Sequence, residues 1–218
     1  GAGIDPGMPL ATALLYGIRS DTQDFGREAV QADIDAMVAL YPLANKRMLG
    51  QIQRGRVPTA YYQALNIALE NTTVYGKCAI CNIGSIENPD IIGEVADLLL
   101  RHEQLEWVMC TGICNKKILL SLRTNDRHLD AGEIARRVVS RIGTGGGHAS
   151  MAGGQIAFAD HSGAHSKAAR IMSLLKKRLL KALSIEVMQG QPLVKNSAKQ
   201  NTAPPAKETD QRVTDSKA

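Results

Sequence analysis

Apolar residues recur at helical spacing in the first third of the chain and at strand spacing beyond it. Residues 10–18, Leu-Ala-Thr-Ala-Leu-Leu-Tyr-Gly-Ile, read as a core helix directly after a short turn-forming lead. An opening this apolar needs an upstream partner to bury it, so the sequence is expected to begin partway through a domain. Ile34, Met37, Val38 and Tyr41 then fall at helical intervals up to Pro42. Residues 44–57, with Lys46, Arg47, Arg54, Arg56 and a break at Gly55, read as an exposed basic connector. Pro58 suits the first turn of a helix through Tyr62, Leu65, Ile67 and Leu69.

From Thr72 the period changes. Residues 72–86 and 107–113 are rich in β-branched and apolar residues, and 118–123 repeats that pattern after the polar link 114–117, which predicts a hairpin. Between the first two runs, Ile92, Val95, Leu98 and Leu99 keep helical spacing. Asp130 and Glu133 have the form of a capping box opening a helix to about residue 142. Residues 143–154 are glycine-rich and read as a loop, followed by a short strand over 155–158. Residues 166–183 form an amphipathic helix, with Ala168, Ile171, Met172, Leu175, Leu179 and Leu183 on one side and Lys167, Arg170, Lys177 and Lys181 on the other. Residues 195–218 hold one Val, no aromatic and two adjacent prolines, too little apolar surface to order a segment.

Composition narrows the partners. The 218 residues carry 26 basic and 21 acidic side chains, a net charge of +5 with pI about 9.1, which favours anionic ligands. One Trp, two Phe and five Tyr argue against a single-strand platform built on base stacking. No apolar run approaches the roughly 20 residues of a membrane span, and no secretory signal is present, so a cytoplasmic location is expected.

Four groups of residues could carry chemistry. Within 143–154, Gly145, Gly146 and Gly147 allow close backbone approach, and successive N–H groups there could cradle a phosphate with His148 as a further donor; a flexible helix-to-strand loop is the competing reading. Arg123 ends a strand and offers a planar fork to phosphate oxygens, or is a solvated strand end. Asp21, after the first apolar helix, could bind a divalent cation or cap a turn. Cys78/Cys81 and Cys110/Cys114 mimic halves of a zinc site. Each pair lies in a strand, however, where residues three apart face opposite ways and residues four apart sit ~13 Å from one another. Asp160, His161 and His165 read as part of a solvated Gly/Ser loop.

Taken together, three of these segments resemble the DHH phosphoesterase family. Residues 143–154 resemble the Gly-Gly-Gly-His signature of the DHH-associated C-terminal domain, with Ser150-Met-Ala152 where two alanines are usual. Residues 121–124, Ser-Leu-Arg-Thr, resemble the strand that carries that domain's substrate arginine, and residues 11–22 resemble the last motif of the catalytic domain, whose aspartate binds a metal. The resemblance implies an α/β fold: the end of a DHH catalytic domain over 1–43, a helical connector over 44–71, a mixed-sheet DHH-associated substrate-binding domain over 72–190, and a disordered tail over 191–218. It implies substrate binding by Arg123, Gly145, Gly146, Gly147 and His148, and a metal ligand in Asp21. The complete enzyme would be a manganese-dependent phosphoesterase acting on short oligonucleotides or small nucleotides, of the nanoRNase or bisphosphate-nucleotide phosphatase type. The Asp-His-His motif and the earlier aspartate motifs of that family are missing. This chain is therefore expected to bind no metal stably and to be inactive alone, its partners being an N-terminal catalytic half or a second copy in a homodimer. A non-catalytic nucleotide or nucleic-acid binding module is the alternative.

Overall fold

The computed structural model describes residues 5–26, 29–157, 164–186 and 189–194. The chain divides into two compact units, Gly1–Pro58 and Thr59–Ala218.

The first unit is helical: α1 (Gly7–Asp21), α2 (Gln31–Leu40) and α3 (Lys46–Gln53). Its small core is Leu15, Ala44 and Leu49, with Tyr16, Met37 and Leu40 packed around them. The Thr12 hydroxyl donates to the Met8 carbonyl at 2.7 Å and accepts from the Asn45 N–H at 2.8 Å, pinning the start of α3 to α1. The exposed connector expected over 44–57 is thus a helix for much of its length. Asn45 caps it through the Met48 N–H at 3.0 Å, and Leu49 anchors it in the core while the basic residues stay outside.

In the second unit, α4 (Thr59–Glu70) precedes β1 (Thr73–Tyr75), β2 (Cys78–Ser85), α5 (Asp90–Leu99), β3 (Trp107–Cys114), β4 (Lys117–Thr124), α6 (Ala131–Val139), β5 (Thr144–Gly147), β6 (Met151–Ala157), α7 (Ala164–Ala182) and β7 (Gln191–Pro192). The sheet runs β5-β6-β4-β3-β2-β1-β7. Only β2 and β3 pair in parallel, and α5 makes the crossover that parallel neighbours require. The β3–β4 hairpin predicted from the sequence closes through Asn115 (φ 48°) and Lys116 (φ 61°), both left-handed, the conformation that matches strand twist in two-residue hairpins. The strand-like run over 72–86 is itself a hairpin, turning at Gly76 (φ 58°) between Tyr75 and Cys78.

Alternation along the central strands gives the sheet two apolar faces. Trp107, Met109, Leu120 and Leu122 meet α6 and α7 through Ile134, Val138, Leu175 and Leu179. Ala79, Cys81, Val108 and Cys110 meet α4 and α5 through Ala68, Ile92, Val95 and Leu99. A fully buried leucine such as Leu179 contributes about 1.5–3 kcal/mol, and its truncation to alanine costs about 2–5 kcal/mol. Asp130 caps α6 by accepting from the Glu133 N–H at 2.7 Å, as its spacing predicts. At the other end Arg178 of α7 donates to the carbonyls of Val138 and Ser140 at 2.9 and 2.8 Å, satisfying groups that the helix terminus leaves open.

The segment 143–154 differs most from its sequence reading. It is not a loop: β5 and the start of β6 form an antiparallel pair, Thr144 to Gly147 opposite Gln155 to Ala152, and β6 pairs along its length with β4. The expected start of the tail at 191 is also displaced, since Gln191 and Pro192 pair with Val74 and Thr73. Residues 195–218 lie outside the described residues, as do Asp160 and His161; His165 falls in α7, but its side chain is not described. No described helix is long and apolar enough to cross a membrane.

Candidate functional site

A groove of about 630 Å³ opens on the α5 face of the sheet. Its floor is β4, one wall is α5, and the other is the glycine-rich β5–β6 hairpin. Arg123, Gly146, Gly147 and His148 all line it, so four of the five substrate-binding candidates come together from positions more than twenty residues apart.

Arg123 is held firmly. Its Nε donates to Asp97 Oδ1 at 2.8 Å, and Nη1 donates to Ser121 Oγ at 2.6 Å and to the Leu122 carbonyl at 3.2 Å. The arginine side chain is 14% exposed against 40% for its aspartate partner, so the guanidinium is the better shielded member of the pair. Nη2 has no hydrogen-bond partner among the described residues. It lies against Gly93, where a Cβ would stand 3.1 Å from it, so the glycine in α5 leaves the guanidinium its space.

The glycines divide their work. A Cβ at Gly146 would meet nothing within 4 Å, so this residue presents bare backbone to the groove. Gly145 does not line the groove: it faces α6, where a Cβ would approach Val139 Cγ2 to 2.9 Å. At Gly147 a Cβ would collide with Met151 O at 2.3 Å and Ala152 Cα at 2.4 Å. The concave nest of successive N–H groups expected from the glycine run is replaced by an edge strand, whose alternate N–H groups point away from its neighbour. The His148 N–H is spent on the Met151 carbonyl at 2.8 Å, which leaves the exposed imidazole as that residue's free group.

Sequence reasoning missed the α5 wall. Asp90, Glu94 and Asp97, spaced four and three apart, line the groove together. That i, i+4, i+7 spacing was visible in the sequence, but its partner Arg123 lies 26 residues beyond Asp97. Glu94 also accepts a hydrogen bond from Tyr61 of α4; burial, reinforced by the Glu94 charge, raises the phenol pKa.

The remaining candidates stand apart from the groove. Asp21 is the exposed last residue of α1, in the first unit. Among the described residues no group of three or more His, Cys, Asp or Glu side chains could hold a metal ion, so the residues present do not fit a metal centre. The four cysteines are buried in β2 and β3. Cys78 faces α6 and α7, and burial pushes its thiol up to about 12. Cys81 lies opposite Cys110 in register, on the α5 face, and burial raises the Cys110 thiol beside it.

Residues 75–181 match the DHHA1 domain. An uncharacterized protein of Methanocaldococcus jannaschii is 35% identical over 154 residues, covering 70% of this chain and 31% of that protein. An exopolyphosphatase-related protein from Bacteroides fragilis shares the fold at TM-score 0.54 and 15% identity, over 79% of this chain and 52% of that one. RecJ in complex with Mg²⁺ from Thermus thermophilus aligns at TM-score 0.37 and 17% identity, over 76% of this chain and 25% of RecJ, too low a score to carry an argument. The mixed sheet and the match together place the chain in the DHH family: it carries that family's C-terminal associated domain. It spans about a third of the length of the curated relative it matches.

Proposed function

We propose that this chain is the C-terminal, substrate-binding part of a cytoplasmic phosphoesterase acting on short oligonucleotides or small nucleotides, of the nanoRNase or bisphosphate-nucleotide phosphatase type. One observation supports this above others: the unpartnered Nη2 of Arg123 and the bare backbone at Gly146 line the same groove. A phosphate oxygen there would accept from a guanidinium already oriented by Asp97 and Ser121, so little freedom is lost on binding. The His148 imidazole would donate to a second oxygen. Three carboxylates on α5 limit how much negative charge the groove tolerates. A single phosphate carrying hydroxyl- and amino-bearing groups, which donate to carboxylates, fits better than a polyphosphate.

The metals of the complete enzyme, manganese by family resemblance, would be held mainly by residues this chain does not supply, with Asp21 contributing one ligand. The isolated chain would bind substrate without hydrolysing it, and would work with a catalytic half or as a homodimer. The alternative, a non-catalytic nucleotide or nucleic-acid binding module, draws on the basic exposed side of α7. Titration calorimetry with a 5′-phosphorylated dinucleotide tests the groove. Arg123→Ala should weaken binding about 10- to 100-fold, the value of a charged hydrogen bond; unchanged affinity refutes the assignment. Hydrolysis of the dinucleotide by this chain with Mn²⁺ would overturn the expected inactivity.

A further inference from the structure

The two helical layers that cover the sheet carry opposite charge. On the groove side α5 presents Asp90, Glu94 and Asp97. On the other side, residues 164–185 contain six Lys or Arg and no Asp or Glu. Lys167, Arg170, Lys177, Arg178 and Lys181 lie within about 100° of arc on α7, at 3.6 residues per turn, opposite buried Ala168, Leu175 and Leu179. Lys167, Arg170, Lys177 and Lys181 are exposed. The two bonds from Arg178 to the end of α6 bring exposed Arg137 and Arg141 beside this row, and the one acid on α6, Glu133, pairs with Arg137 at 3.3 Å.

A face kept only for solubility mixes signs, because i, i+4 pairs of opposite charge stabilise a helix and like charges repel. Here α7 has no acid with which to form such a pair. We propose that the α6/α7 face binds the phosphate backbone of a nucleic-acid strand, separately from the groove. From Lys167 to Lys181 the helix rises about 21 Å, a row long enough to follow several consecutive phosphates. No aromatic occurs in residues 164–186, so the face reads charge along a backbone rather than stacking bases, and its binding is insensitive to sequence. Membrane insertion does not suit it, because the apolar side of α7 is already spent on the sheet. The acidic α5 wall repels the same polyanion, so the field of the domain directs a long strand to the α6/α7 side.

Fluorescence anisotropy with a labelled oligouridylate of about 20 nucleotides tests this on the full chain. If about five phosphates are neutralised, log affinity should fall with log salt at a slope near −3.5, and Lys167→Gln/Arg170→Gln/Lys177→Gln/Lys181→Gln should reduce the slope to about −1. Arg123→Ala should leave this binding intact, which separates the face from the groove. A wild-type slope shallower than about −1, which needs no variant to measure, overturns the proposal. So does a quadruple variant that melts like wild type and binds as tightly, or loss of oligonucleotide binding through Arg123→Ala alone. Equal affinity for vesicles of one part phosphatidylserine to about three parts phosphatidylcholine would show general attraction to anionic surfaces and overturn the nucleic-acid assignment.

Discussion

Gly146 and Gly147 are neighbours in one strand, yet adding a methyl group to each should have opposite consequences. At Gly147 the new carbon would stand 2.3 Å from Met151 O and 2.4 Å from Ala152 Cα, both backbone atoms of the paired strand. Neither can rotate away, so β5 must separate from β6. The His148 N–H to Met151 carbonyl bond, 2.8 Å in the native hairpin, goes with it. Overpacking of this kind costs about 1–3 kcal/mol and the lost hydrogen bond about 1 kcal/mol more, for a total near 2–4 kcal/mol. At Gly146 nothing lies within 4 Å. Gly146→Ala should leave stability unchanged or raise it by up to about 1 kcal/mol through the reduced freedom of the unfolded chain. Trp107, the single tryptophan, is buried in the second unit and reports its unfolding by fluorescence. Gly147→Ala should lower the melting temperature by about 4–16 °C and Gly146→Ala by less than about 2 °C. Gly146→Ala should nonetheless weaken phosphodinucleotide binding, because its methyl enters the groove. Equal melting temperatures for the two variants would refute the division of roles within the hairpin.

Other perturbations probe the same framework. Asp97→Asn keeps an acceptor for Arg123 Nε while removing a charge from the groove, so affinity for a phosphate ligand should rise about 2- to 5-fold, the worth of a part-exposed ion pair; weaker binding by calorimetry would contradict this. Arg178→Gln removes two bonds to the end of α6 and should cost about 1–3 kcal/mol in thermal unfolding; an unchanged melting temperature would show that the α6 terminus needs no cap. The Cys78 thiol titrates at about 12 in the folded chain, against 9.0 for the ordinary thiol. Between those values the folded state holds a proton that the unfolded state has lost, so stability falls as pH rises, by about 1.4 kcal/mol per unit. Below pH 9 this contribution is fully present, and Cys78→Ala should remove that part of the alkaline slope in denaturant titrations.

The elements with a clear apolar period are legible in the amino-acid sequence alone. Helices α5 to α7 and the β3–β4 hairpin each bury a face large enough to print its spacing on the chain. The failures have physical reasons. Lys46, Arg47 and Arg54 make residues 44–57 look solvated, yet one leucine, Leu49, docks a helix whose other faces are polar. Residues 143–154 carry almost no side chains to alternate, so their strand character comes from the β4 ladder beside them and cannot be seen locally. Arg123 and the glycines were identified through a resemblance. The α5 wall had no such guide: three acids on a helix look like solvent-facing charge until the fold sets Asp97 against an arginine 26 residues downstream.

The glycine hairpin also fixes where this protein can change. Cβ atoms at Gly132, Gly143 and Gly147 would each come within 2.3–2.5 Å of a backbone carbonyl oxygen. No second substitution relieves a clash with main chain, so these positions have no neutral route to another residue. The α5 wall is under no such constraint, since its groove-facing carboxylates sit on a helix anchored from behind by Ile92, Val95 and Leu99. Directed evolution towards a new ligand should accordingly gather its mutations at residues 90, 94 and 97. The hairpin opposite should come through every round unaltered.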